Sequence, residues 1–185
     1  MSLDAILLAV HVLAAVTILT ALVTDWIGVL ALRGAGTTQQ AREGLKALEA
    51  SAVFGVWGRL ASLAAGLTLA VTAWSWEGWI ITGIVGWVVL VLLGEPLTGK
   101  DLRRMVAGAR EAGDELPAGL AARIHDPRLW NSVLTRTGIL AALAVCMFGK
   151  PGLLTGIALL ICGHLAGLAA ARLTARHPLS PSGAH

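Results

Sequence analysis

The chain has 185 residues, 56% of them hydrophobic and only 14% charged, with a net charge of +3. Soluble domains carry roughly 25% charged residues, so this composition excludes a soluble globular surface, and the longest polar stretch, 96–129, leaves no room for a separate soluble domain. The positive balance reads as topology and contact with anionic headgroups, with no nucleic-acid partner.

A membrane-crossing helix needs about 20 predominantly apolar residues to traverse a hydrocarbon core of roughly 30 Å. Five such spans are predicted, at about 4–32, 52–74, 78–95, 130–148 and 152–173. The expected fold is therefore an all-α, polytopic transmembrane helix bundle, one domain over 1–175 followed by a flexible polar tail, 176–185. The opening "MSLDAILLAV" lacks the basic region of a signal peptide, and its apolar run is longer than a signal core of about 7 to 15 residues. The first span is expected to be retained.

Past the first span, "TTQQ" places Thr37 and Gln40 at capping-box spacing, which predicts one helix from 38 to 74 that continues into the second span. Glu95-Pro96 is expected to end the third span, because proline cannot extend a helix ladder. In the polar segment after it, 96–129, Leu102, Met105, Val106 and Ala109 recur at i, i+3, i+4 and i+7. That spacing predicts a short amphipathic helix on the membrane or on the bundle. "HDPRLW" then offers Asp126 as N-cap and Pro127 as first residue of the fourth helix. Cys146 and Cys162 fall inside spans, so they form no disulfide framework and read as small apolar filler.

Lysine and arginine distribution orients the chain, since cytoplasmic loops carry the excess. Arg33, Arg42 and Lys46 follow the first span, a group from Lys100 to Arg128 follows the third, and Arg172 and Arg176 follow the fifth; the opposite side has only Lys150. The N-terminus is expected outside and the C-terminus in the cytoplasm of a cell with a plasma (inner) membrane. Trp74, Trp76 and Trp79 crowd the outer turn while Trp26, Trp57 and Trp130 lie toward the inner side, as interfacial rings prefer. Trp87, midway along the third span, is the exception.

Charges at membrane depth cost at least about 2.5 kcal/mol each and tend to pair inside a bundle. Asp25 lies eight residues before Arg33, about 12 Å from that end of the helix, and Arg59 lies seven residues into the second span, about 10 Å by the same rise. Equal height makes them the expected ion pair. Gly55, Arg59, Ser62 and Gly66 step at +4, +3 and +4, a small and polar stripe suited to close packing. Arg136 and Glu95 are expected to extend the charge network on the cytoplasmic side. Two readings stand side by side: the network fixes helix register, or it forms a functional site.

His11 is about 21 Å along the helix axis from Asp25, too far to touch it. His164, about twelve residues into the fifth span and flanked by Gly163 and Gly167, comes to a similar depth. Neutral imidazoles on facing helices ligate haem iron or another metal, or relay protons; the alternative is a hydrogen-bonded packing residue. No Cys-x-x-Cys, His-Glu-x-x-His or phosphate-binding Gly-Lys-Ser/Thr loop is present. The methionines, Met1, Met105 and Met147, are scattered, which disfavours a copper pathway.

The residues "HVLAAV" in the first span, "GRLASLAAGLTL" in the second, a Trp-headed third span and "DPRLWNSVLTRTGILAALAVCMFGKPG" together resemble a loose group of small bacterial multipass proteins. The group comprises a membrane-protein family of unknown function, the membrane domain of copper-resistance protein D and HemJ-type protoporphyrinogen oxidase. The likeness covers about residues 5–152 and implies a helix bundle in which His11 ligates haem b. HemJ-type proteins also carry a lysine in the third span, where "WIITGIVGWVVLVLLGE" has none, so protoporphyrinogen oxidation is not implied.

The leading expectation is a haem-binding or redox-associated membrane protein that uses His11 and His164. The second is a transporter or channel-like protein whose polar path is lined by Asp25, Arg59 and Arg136. The third is a non-enzymatic helper subunit that packs against a larger membrane partner or a second copy. No catalytic residue is assigned.

Overall fold

The computed structural model describes residues 2–175, the side chains of 95–98 and of 175 excepted. The tail expected over 176–185 lies outside the described residues. The fold is all-α, in the order α1 (Leu3–Arg33), α2 (Thr38–Leu69), a π-helical turn (Ala70–Trp74), α3 (Gly78–Thr98), α4 (Lys100–Glu111), α5 (Ala118–Ile124), α6 (Pro127–Gly149) and α7 (Leu153–Ala175). Four helical stretches, Leu3–Arg33, Thr38–Trp74, Ala118–Gly149 and Leu153–Thr174, are long and apolar enough to cross a membrane, and Gly78–Gly94 is a shorter apolar helix. Large apolar side chains such as Leu13, Val23, Phe54, Trp57, Phe148 and Leu154 are exposed along them.

Local chemistry starts the helices where the sequence places it. Ser2 caps α1 by accepting from the Ala5 N–H. Thr37 and Gln40 form the reciprocal capping box of α2, and the helix runs without a break into the π-turn ending at Trp74. Asp126 accepts from the Arg128 N–H at the start of α6, with Pro127 in the first turn.

Glycines set how closely the helices approach, because a missing Cβ lets backbones meet. Along the α1–α2 hairpin, a Cβ on Gly28 would come within 2.7 Å of Leu48, and one on Gly58 within 3.2 Å of Ile18 and Thr17. Between α6 and α7 the approach is tighter: Gly138 and Gly163 meet backbone to backbone, and a Cβ on Gly167 would lie 2.6 Å from the Leu134 carbonyl. α3 packs against α6 and α7. It crosses α6 where Gly86 receives Leu143.

α3 does not end at Glu95-Pro96 as expected; helical backbone continues to Thr98. Proline at 96 removes one ladder hydrogen bond, a loss that packed helices tolerate. Next to this turn the Ser132 hydroxyl of α6 donates to the Leu93 carbonyl and ties α3 to α6.

α4 packs on α2 and α3, with Leu102, Met105 and Ala109 buried. Its apolar face therefore meets the bundle. Together with Leu32, Leu45, Leu48, Ile124 and Leu129 these residues form the largest buried cluster, at the end of the molecule opposite His11. Arg42 donates to the carbonyls of Ala109 and Ala112 and so holds the last turn of α4. Thr38 donates its hydroxyl to the Glu115 carbonyl beside an isolated bridge between Thr37 and Glu115. The short helix α5, with Leu120 and Ile124 buried, was not anticipated in the polar segment.

Candidate functional site

Two polar features lie between the long helices, at different heights. The first is a buried ion pair. Arg136 Nη1 of α6 donates to Asp25 Oδ2 of α1 at 2.5 Å, and Ser51 Oγ of α2 donates to Asp25 Oδ1 at 2.5 Å and lies 2.9 Å from the Ala21 carbonyl. Asp25 is wholly buried and Arg136 almost so. The carboxylate thus accepts on both oxygens, which is what a charge in a low-dielectric interior requires.

Arg59, expected as the partner of Asp25, forms no ion pair with it. Arg59 is half-buried, and its Nη1 folds back along α2 to within 3.0 Å of the place where a Gly55 Cβ would sit. Height along the bundle is one coordinate only. Asp25 faces Ser51 and α6, while Arg59 follows the stripe about two turns further along α2, and Gly55 leaves room for its guanidinium. Ser51 was missed, although it lies four residues before Gly55 and extends the same stripe by one step. Glu95 was expected in this network; its side chain lies outside the described residues.

The second feature is a cavity of about 190 Å³ at the His11 end. α1 contributes His11, Ala15, Ile18 and Leu19, α2 and its π-turn contribute Ser62, Gly66, Leu67 and Trp74, α3 contributes Trp79, Gly83 and Trp87, and α6 contributes Leu143 and Met147. α1 and α3 have no extensive packing against each other, so the cavity occupies the gap between them, backed by α2 and α6. The π-turn matters here, because an extra residue per turn rotates the side chains beyond it; such turns recur at functional sites. It delivers Trp74 edge-on to His11 at 6.5 Å and next to Trp79 at 5.2 Å.

Hydrogen bonds fix the lining. His11 Nδ1 lies 2.9 Å from the Ser62 carbonyl oxygen. A carbonyl only accepts, so the proton resides on Nδ1, and in the neutral ring Nε2 keeps its lone pair. Gly66 allows this approach, since a Cβ there would lie 3.0 Å from His11 Cε1. Trp87 Nε1 donates to the Arg59 carbonyl at 3.0 Å, which accounts for a tryptophan at mid-helix depth. Trp79 Nε1 donates to Glu77 Oε2 at 2.9 Å, and Lys150 Nζ stands 5.4 Å from the Trp79 ring centre.

The structure does not join the two histidines in one site. His164, on α7, is not among the residues lining the cavity, and its Nδ1 is buried without a hydrogen-bond partner among the described residues. The arrangement gives no support to a haem held between His11 and His164. The cavity is also smaller than the roughly 300–1,000 Å³ of sites that take drug-sized ligands. Among the described residues no group of three or more His, Cys, Asp or Glu side chains is arranged to hold a metal ion. No protein-family model, curated protein or solved structure matches the chain.

Proposed function

We propose that this chain is a multi-pass membrane protein with five spans, its N-terminus outside and C-terminus in the cytoplasm of a cell with an inner membrane, and that it binds a small lipid-soluble molecule in the His11 cavity. Counting α3 as the fifth span is supported by its apolar run Gly78–Gly94 and its packing against α6 and α7. The odd number gathers the basic loops on one side, as membrane insertion favours.

The observation that carries the ligand-binding reading is the composition of the cavity wall. Leu19 and Leu67 line the cavity and are also exposed on the outer face of their helices, 50% and 37% respectively. The cavity therefore opens sideways, through an apolar rim, toward the lipid. A pocket with such a rim admits molecules dissolved in the bilayer. The buried Asp25–Arg136 pair supports a fixed register between α1 and α6, and neither residue lines the His11 cavity.

A heavy-atom quencher tests the proposal. A para-alkyl bromobenzene added to detergent-solubilised protein should quench tryptophan emission with saturation, because Trp74, Trp79 and Trp87 line the site. Ala144→Phe, which fills the cavity from α6, should remove the saturable part and leave the linear part that reflects partition into detergent. Linear quenching that is the same in both proteins would sink the proposal.

A further inference from the structure

Three tryptophan rings and one imidazole say more about the ligand than its lipid solubility. Building on the ligand-binding reading, we infer that the cavity takes a single aromatic ring bearing a hydroxyl group, of the phenol or hydroquinone class, with an apolar tail that leaves through the rim at Leu19 and Leu67.

Size comes first. A dry cavity of roughly 150 Å³ binds benzene, so about 190 Å³ holds one ring and a small substituent. An acyl chain alone would leave the ring of Trp87, which has no ring partner among the described residues, without an aromatic contact, whereas Trp74 already meets His11 and Trp79. Offset and edge-to-face contacts favour a ring among rings beyond the area buried.

Polarity then selects the substituent. The indole N–H groups of Trp79 and Trp87 already donate to Glu77 and to the Arg59 carbonyl. His11 commits its Nδ1 proton to the Ser62 carbonyl and turns its Nδ1–Cε1 edge toward α2 at Gly66, which leaves the Nε2 lone pair for the cavity. That nitrogen accepts and, in the neutral ring, cannot donate. A ligand hydroxyl satisfies it; a ketone, an ether or a quinone oxygen cannot. The site thus discriminates a hydroquinone from the corresponding quinone through one proton.

Displacement of the bromobenzene quencher by para-hexylphenol and by its methyl ether tests that proton, since the ether lacks the donor and adds one methyl group, whose own effect is read in the His11→Phe variant. The phenol should compete about tenfold better than the ether, the worth of one hydrogen bond of ordinary strength. His11→Phe keeps a ring and removes the acceptor; the ether should still displace the quencher there, which shows the protein folded, while the phenol advantage falls to about one. Equal competition by both probes in the native protein, or an advantage that survives His11→Phe, overturns the hydroxyl assignment and leaves the cavity reading standing. If neither probe displaces the quencher, both readings fall.

Discussion

Arg136 and Asp25, 111 residues apart in the chain, share a 2.5 Å hydrogen-bonded ion pair at the contact of α1 with α6. Neither can be removed alone without leaving a charge in the interior, and breaking a buried pair this way costs about 3–5 kcal/mol. Arg136→Ala and Asp25→Ala should each lower stability by that order in thermal melts of the solubilised protein. The double variant should fall short of the sum by about 0.5–3 kcal/mol, as expected of groups in direct contact. Arg59→Ala, at a half-buried side chain without an ion-pair partner among the described residues, should change stability by roughly 1 kcal/mol or less. A larger loss for Arg59→Ala than for Arg136→Ala would reverse the assignment of the pair.

How far the sequence reaches is visible in that same pair. Asp25 and Arg136 were legible as charges in apolar helices, and the starts of α2 and α6 were legible from their caps, Thr37 with Gln40 and Asp126. Those signals are local, carried by residues a few positions apart. Which arginine meets Asp25 depends on how α1 and α6 rotate about their axes, and rotation is set by glycine contacts that no single helix reveals. Height alone pointed to Arg59. The cavity was half legible: His11 stood out as a histidine in lipid, but its partner is a backbone carbonyl, and backbone groups leave no mark in a sequence. Trp74 reaches the cavity through a π-turn, and nothing in "AVTAW" announces the extra residue.

Gly138 and Gly163 offer a test of the α6–α7 interface. Their backbones touch, with Gly167 on the Leu134 carbonyl one turn further along. A side chain at Gly163 has no flexible neighbour to displace, because the atoms it meets are the carbonyl group of Gly138 and the Cβ of Ala142. Gly163→Leu should separate the helices locally and lower stability by about 1–3 kcal/mol or more, the usual penalty for overpacking. Gly149→Ala, with nothing within 4 Å, serves as control and should be near neutral. Equal melting temperatures for Gly163→Leu and the native protein would show that α6 and α7 do not depend on this contact.

Trp76 and Gly113 flank α3, and together they test both the count of spans and their direction. Trp76 is 56% exposed in the turn before α3, and Gly113 lies in open space after α4. If α3 crosses the bilayer, the two positions are on opposite sides; if it does not, they share one. In a background with Cys146 and Cys162 replaced by alanine, Trp76→Cys should react with a charged, impermeant maleimide on intact cells. Gly113→Cys should react only after permeabilisation, because the loop that holds it belongs with the basic residues retained inside. Labelling of both from outside, or of neither, removes α3 from the list of spans. Labelling of Gly113→Cys alone inverts the orientation, and with it moves the opening of the His11 cavity from the outer to the inner leaflet.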